Sequence, residues 1–280
     1  MTKQIVIFCD MEGASGIFDR NVEAIHHGSD EWLEYGRSCL TSDVLAVCEA
    51  AIEFGIEDIL IYDAHYAGNP EPNIIVERLP KNVRFFDTPD RCFFWRRIRG
   101  QAQIEPFGLI TVGQHARFGE KGAYFPHTIQ TPPIKATFFN GLHIAEIGHA
   151  VLNFGNVKYI ANVGCRASMK EALEMSENIC TISVKDKTVT WEPSPIETFP
   201  IIKGGIFKAL RNIEHFNAPV FKAPFEFSMS LTEGFRFIAP PRISWKGSFK
   251  YNEAFWEAPS IEIGLELFNF IRDCIERIES

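Results

Sequence analysis

Long hydrophobic runs are missing from this 280-residue chain: it has no window of 18 uncharged apolar residues, so no segment has the reach of a membrane-spanning helix. Surplus positive charge is missing too. The 28 Lys and Arg residues face 36 Asp and Glu, a net charge of −8. That balance does not neutralise a phosphate backbone, which excludes nucleic acid as the main partner. Paired thiols are absent: Cys9, Cys39, Cys48, Cys92, Cys165, Cys180 and Cys274 are scattered, odd in number and form no C-x-x-C. This excludes a disulfide framework and a thiolate zinc knuckle and points to free thiols in a reducing compartment. Near the N-terminus the apolar run Ile5–Cys9 is interrupted at Asp10, too short for the core of a signal peptide. The expectation is a cytoplasmic protein. A Walker A loop, a G-x-S-x-G elbow and a G-x-G-x-x-G turn are all lacking; Gly13-Ala14-Ser15-Gly16 follows a strand but does not match the last. Internal repeats and low-complexity tracts are absent as well.

What is present is a globular composition, 46% apolar and 23% charged. A chain this long buries roughly 75% of the surface it exposes unfolded, so it needs no metal merely to fold. Short apolar runs at Ile5–Cys9, Ile59–Tyr62, Leu109–Val112 and Tyr159–Val163 predict strands buried on both faces. Leu40, Val44, Val47, Cys48 and Ala51 recur at helical spacing, with Gly55 placed to stop the helix. Further helices are expected over Ile144–Phe154 and Ser168–Ser176. The alternation predicts an α/β fold, a mainly parallel sheet flanked by helices. After Pro193, Pro195 and Pro200 the texture changes. A helix near Ile202–Asn212, strands at Val220–Ser228, Phe235–Ile238 and Ile243–Phe249, and a closing helix with Gly264, Leu267, Phe268, Ile271, Ile275 and Ile278 on one face are expected. The chain therefore divides into residues 1–190, an α/β catalytic part, and 191–280, a smaller α+β lobe for oligomerisation or for covering the site.

Three of the apolar strands end alike: in Asp10-Met11-Glu12-Gly13, in Asp63-Ala64-His65, and in Gly113-Gln114-His115. Parallel α/β sheets bind ligands beyond the carboxyl ends of their strands. There, Asp10, Glu12, His65 and His115 converge as two carboxylates and two imidazoles suited to zinc or another first-row divalent metal. In an extended strand Asp10 and Glu12 point to one side, where their charges conflict unless a cation lies between them. Downstream, His127 follows Tyr124-Phe125-Pro126, and His143, Glu146 and His149 share helical spacing, either as part of the same site or as a polar stripe. His26 and His27, being adjacent, are expected to be solvated, and His215 has no partner in view. Cys9 is expected to face the core.

Asp10-Met11-Glu12-Gly13-Ala14-Ser15-Gly16 resembles the opening D-x-E-G-x-S-G motif of the zinc-dependent D-aminopeptidase family of metallopeptidases. The similarity continues through Tyr35-Gly36-Arg37, Asp63-Ala64-His65, Gly113-Gln114-His115-Ala116-Arg117, Pro126-His127-Thr128 and Asn140-Gly141…Glu146-Ile147-Gly148. The resemblance implies two Zn2+ ions per chain, with Asp10 bridging and Glu12, His65, His115 and Glu146 completing the ligands. It makes His127 the catalytic residue, a nucleophile or proton-transfer group. It also implies short-peptide substrates and a decameric homo-oligomer enclosing the active sites. The chain departs from the family in carrying Gly164-Cys165-Arg166 where Gly-Asp-Asp is common, Phe8 for Ser and His149 for Asn. The expected activity is metal-assisted hydrolysis of short peptides, possible D-amino acid content included. The alternatives are a di-metal hydrolase of another amide or phosphoester and a non-catalytic oligomeric binding protein.

Overall fold

The computed structural model describes residues 4–68, 71–86, 106–129, 132–238 and 246–279; Cys92 and the start of the expected strand at 243 lie outside them. In chain order the first elements are β1 (Gln4–Cys9), α1 (Arg37–Phe54), β2 (Asp58–Asp63), β3 (Val83–Phe85) and β4 (Gly108–Gln114). Then come β5 (Ile134–Phe139), β6 (Leu142–Ile144), α2 (Glu146–Phe154), β7 (Lys158–Cys165), α3 (Met169–Met175) and β8 (Cys180–Lys185). The last are α4 (Pro195–Arg211), β9 (Phe225–Leu231), β10 (Phe235–Phe237), β11 (Gly247–Phe249), β12 (Glu253–Ala258), α5 (Ile261–Arg272) and β13 (Ile275–Arg277).

β1 explains why its sequence is apolar at every position after Gln4. Ile5, Ile7 and Cys9 enter one core with residues of α1 and α4, among them Val44, Val47, Ile206 and Leu210. Val6 and Phe8 enter a second core with Ile147 and Val151 of α2, Phe227 of β9, Trp256 of β12 and Phe268 of α5. The strand belongs to a six-stranded sheet in the order β3-β2-β1-β4-β7-β8, in which every neighbouring pair is parallel. The chain steps outward from β1 to β2 and β3, then restarts on the far side of β1 at β4. The order thus reverses between β1 and β4, where an open α/β sheet leaves a crevice beyond its carboxyl edge.

A second, five-stranded sheet runs β11-β12-β9-β5-β6 and is antiparallel throughout. It draws strands from both sides of residue 190, and α4 packs with α1 on the parallel sheet. The layers of the fold therefore do not part at that residue. Ile144 ends a strand instead of opening a helix, because Leu142–Ile144 turns back on Phe139 through Asn140-Gly141. Pro195 is the first residue of α4, where its missing N–H costs nothing, and Glu197 accepts a hydrogen bond from the amide of Ser194 (2.8 Å). The expected strand at Val220 starts at Phe225; Val220 is 78% exposed. Ile275 belongs to β13, paired antiparallel with β10, and not to the closing helix. Among the described residues no helix is long and apolar enough to cross a membrane.

Candidate metal centre

The crevice is built by close backbone crossings. Beyond β1 the amide of Asp10 donates to Val112 (2.9 Å) and that of Gly13 to Gly113 (2.8 Å), tying the loop to the end of β4. Both glycines are required. A Cβ on Gly13 would stand 1.9 Å from the Gln114 oxygen, and one on Gly113, at φ 69°, would stand 1.9 Å from the Asp10 oxygen. The strand itself stops at Cys9, and a turn closed by Ala14 N–H on Met11 C=O, not an extended strand, brings Asp10 and Glu12 together. Cys9 is buried, its Sγ on the Tyr62 carbonyl.

Three histidines then meet three carboxylates, each imidazole with one nitrogen on a main-chain carbonyl. His65 Nε2 lies 2.8 Å from the Ile25 oxygen, His115 Nδ1 2.9 Å from that of Ala116, and His127 Nδ1 2.9 Å from that of Phe125. A carbonyl only accepts, so these nitrogens carry the protons and the opposite nitrogens are free to bind. His65 Nδ1 faces Asp10 Oδ1 (3.3 Å) and Glu12 Oε2 (3.2 Å). His115 Nε2 faces Asp10 Oδ2 (3.4 Å) and Glu146 Oε2 (3.3 Å). His127 Nε2 stands 3.8 Å from both Glu12 Oε1 and Glu146 Oε1, and its ring stacks on His115 at 3.9 Å. All six residues expected from sequence are thus together.

Unprotonated nitrogen and carboxylate oxygen at such spacing repel unless a proton or a metal cation lies between them. Glu12 Oε2, His115 Nε2 and Glu146 Oε2 are buried without any hydrogen-bond partner. Asp10, Glu12 and His115 offer ligand atoms within 4.8 Å of one another, as do His115, His127 and Glu146. These donors fit zinc, and the carbonyl contacts behind the imidazoles are the outer support such ligands need. The electrostatics agree. Burial, then the charge of Glu12, pushes the Asp10 carboxyl up to about 7. Glu12 and Glu146 are held below the usual range, burial being outweighed by His65 and His115 respectively. His65 and His115 are raised against their own burial by those carboxylates. The site calls for positive charge.

Glu146 arrives at the first turn of α2, its Oε1 accepting from the amide of Ile129 (2.6 Å). His149 does not share the site: it is buried with its ring 4.4 Å from that of Phe268, and burial pushes it down to about 4. His143 is half-buried against Phe138. His27 is not simply solvated, since its ring packs 4.2 Å from Trp32 while His26 stays exposed beside Glu23. Arg166 is exposed, and Cys165 beside it is buried against Ala116 and Tyr124. Three supports escaped sequence reasoning. Asn73 Nδ2 donates to the carbonyl of His65 (2.7 Å); Glu171 Oε1 accepts from Ala145 (2.6 Å) and Gly148 (2.8 Å) at the head of α2; Lys185 binds the 12–17 loop. Only Lys185 left a signal, a charge closing the apolar alternation Ile182-Ser183-Val184.

The profile of peptidase M55, the D-aminopeptidases, matches residues 3–235. The chain belongs to this family. No curated protein sequence matches it. Among solved structures, this M55 chain is similar to the Zn-dependent D-aminopeptidase DppA from Bacillus subtilis, described as a self-compartmentalizing protease. The TM-score is 0.78 at 18% identity over 97% of each chain, a likeness of fold. The M55 chain is a metal-dependent hydrolase, and family and neighbour together support a zinc peptidase.

Proposed function

We propose that the protein is a two-zinc aminopeptidase that removes N-terminal residues, D-residues among them, from short peptides. The observation that carries this reading is the arrangement about Asp10. Its Oδ1 faces His65 and its Oδ2 faces His115, with Glu12 completing the first pair and Glu146 the second. One carboxylate between two imidazole–carboxylate pairs supports two adjacent half-sites in place of one. Asp10, Glu12, His65, His115 and Glu146 would hold the ions. When bound, paired zinc ions bring the pKa of water into the neutral range and polarise a scissile carbonyl.

The chain's own contribution to proton transfer falls to His127. Its Nδ1 proton is committed to the Phe125 carbonyl, so Nε2 is the nitrogen free to meet the reacting atoms. There it would take the proton that the attacking water gives up and then pass it to the leaving amine or hold it toward the oxyanion. Burial of the carboxylates excludes bulk water from the charges they carry. We further propose a cytoplasmic homo-oligomer, a decamer by resemblance, that admits short peptides and excludes folded proteins; the exposed Leu33, Ile196 and Val220 supply apolar surface for subunit contact.

The deciding experiment is elemental analysis of protein purified without chelator or added metal, followed by assay of D- and L-aminoacyl peptides beside N-blocked analogues. Two zinc equivalents and cleavage that requires a free amine are expected. Absence of metal that added zinc does not restore would sink the reading, and turnover of phosphoesters or cyclic amides alone would move it to another reaction.

A further inference from the structure

Lys185 closes β8, is fully buried, and has no part in the chemistry described above. Its Nζ donates to the main-chain carbonyls of Glu12 (2.7 Å), Ala14 (2.9 Å) and Ile17. An ammonium has three N–H donors, and here all of them go to a single loop, the one that carries Glu12. Buried cations are ordinarily matched by carboxylates. This one is met directly by carbonyl oxygens and by the rings of Tyr124, Phe18 and Phe125, whose centroids lie 5.3, 5.6 and 5.8 Å away. The buried carboxylates of Asp43 and Glu12 act on it without a direct ion pair. Phe125 is also the residue whose carbonyl fixes His127. A single ammonium therefore reaches both the main chain of Glu12 and the residue that orients His127, two groups whose side chains stand 3.8 Å apart in the centre.

A fixed positive charge beside a site built for cations is electrostatically adverse to metal binding. What the lysine supplies is geometry. We propose that Lys185 is a positioning residue that holds the 12–17 loop closed, so that Glu12 meets His127 at the same spacing with or without metal. The assignment of Glu12 and His127 to catalysis rests on the proposed function; the closure of the loop does not.

Two measurements test it. In the wild-type protein stripped with chelator, amide exchange at Gly13, Ala14 and Ser15 is expected to stay within about tenfold of the zinc-loaded rate. Acceleration beyond about a hundredfold, with β1 still protected, overturns the proposal, because metal and not Lys185 would then be closing the loop. In zinc-loaded, folded Lys185→Met, kcat is expected to fall about a hundredfold with KM little changed, the usual cost of misplacing groups by about 1 Å. Lys185→Arg, which keeps the charge but moves the donors, is expected to lose about tenfold. Wild-type kcat in either folded variant overturns the proposal, since a merely stabilising lysine would lower the melting temperature alone. Should neither variant fold, the exchange experiment decides. A wild-type protein without peptidase activity would refute the proposed function and leave the exchange result intact.

Discussion

His127 differs from the residues around it in access. Its side chain is 17% exposed, against 0% for His115 and 7% for Glu12 and Glu146, so of these it has the most contact with solvent. A ligand and a proton carrier fail differently when removed. Replacing His115 with Ala takes away a nitrogen that faces two carboxylates, and metal content is expected to drop with activity. His127→Ala should keep its metal while kcat falls by about 10²–10⁴, the range for a general acid or base. Elemental analysis beside steady-state kinetics separates the two; full activity in the His127 variant would remove it from the mechanism. His149 makes a prediction of the opposite kind. Burial lowers it to about 4, so between pH 6.5 and 4 the unfolded chain takes up a proton that the folded chain refuses. Its contribution to stability is present above 6.5 and declines as pH falls, by about 3 kcal/mol in all. Metal-free His149→Met should lose correspondingly less stability between pH 7 and 4 in denaturant titrations, and an unaltered pH slope would show that the neutral imidazole is not the cause.

The elements explain why the site assembles where it does. The loop after β1 and the end of β4 cross at backbone contact, and Gly113 tolerates neither a Cβ there nor, at φ 69°, an ordinary side chain. Gly113→Ala is expected to cost about 3 kcal/mol or more and to lose metal, because Asp10 must retreat. Thermal melts and metal analysis check this; a stable, zinc-replete variant would mean that the crossing does not set the site. The same crossings decide what could be read from sequence. Strands buried on both faces show as unbroken apolar runs, so β1, β2, β4 and β7 were legible, and with them Asp10, Glu12, His65 and His115 at the strand ends. Glu146 and His127 come from a helix and a loop whose spacing carries no such mark; resemblance alone pointed to their roles. Asn73 and Glu171 act through main-chain groups, which no residue pattern announces. At the other end, Ile271 and Ile275 keep helical spacing across the boundary between α5 and β13, and only pairing with Phe235–Phe237 makes Ile275 a strand residue.

At the scale of the whole molecule, the parallel sheet is covered by apolar cores on both faces, and β1 lies in both. That amount of core folds without help from a cation, which separates metal as a catalyst from metal as a staple. A ligand that binds only the folded state stabilises it by RT ln(1 + [L]/Kd), about 4 kcal/mol when its free concentration is 1,000 times Kd. For a chain of this size, each kcal/mol moves the melting temperature by about 2–4 °C. Chelation is therefore expected to abolish hydrolysis and to lower Tm by about 8–16 °C, while the far-ultraviolet circular dichroism at 25 °C remains that of the intact sheet and helices. Calorimetry with and without chelator tests this in one preparation. Collapse of the dichroism on chelation would show that the three carboxylates cannot be held together by the fold alone. The ions would then be part of the core, and the work assigned here to Gly13, Gly113 and Lys185 would belong to them instead.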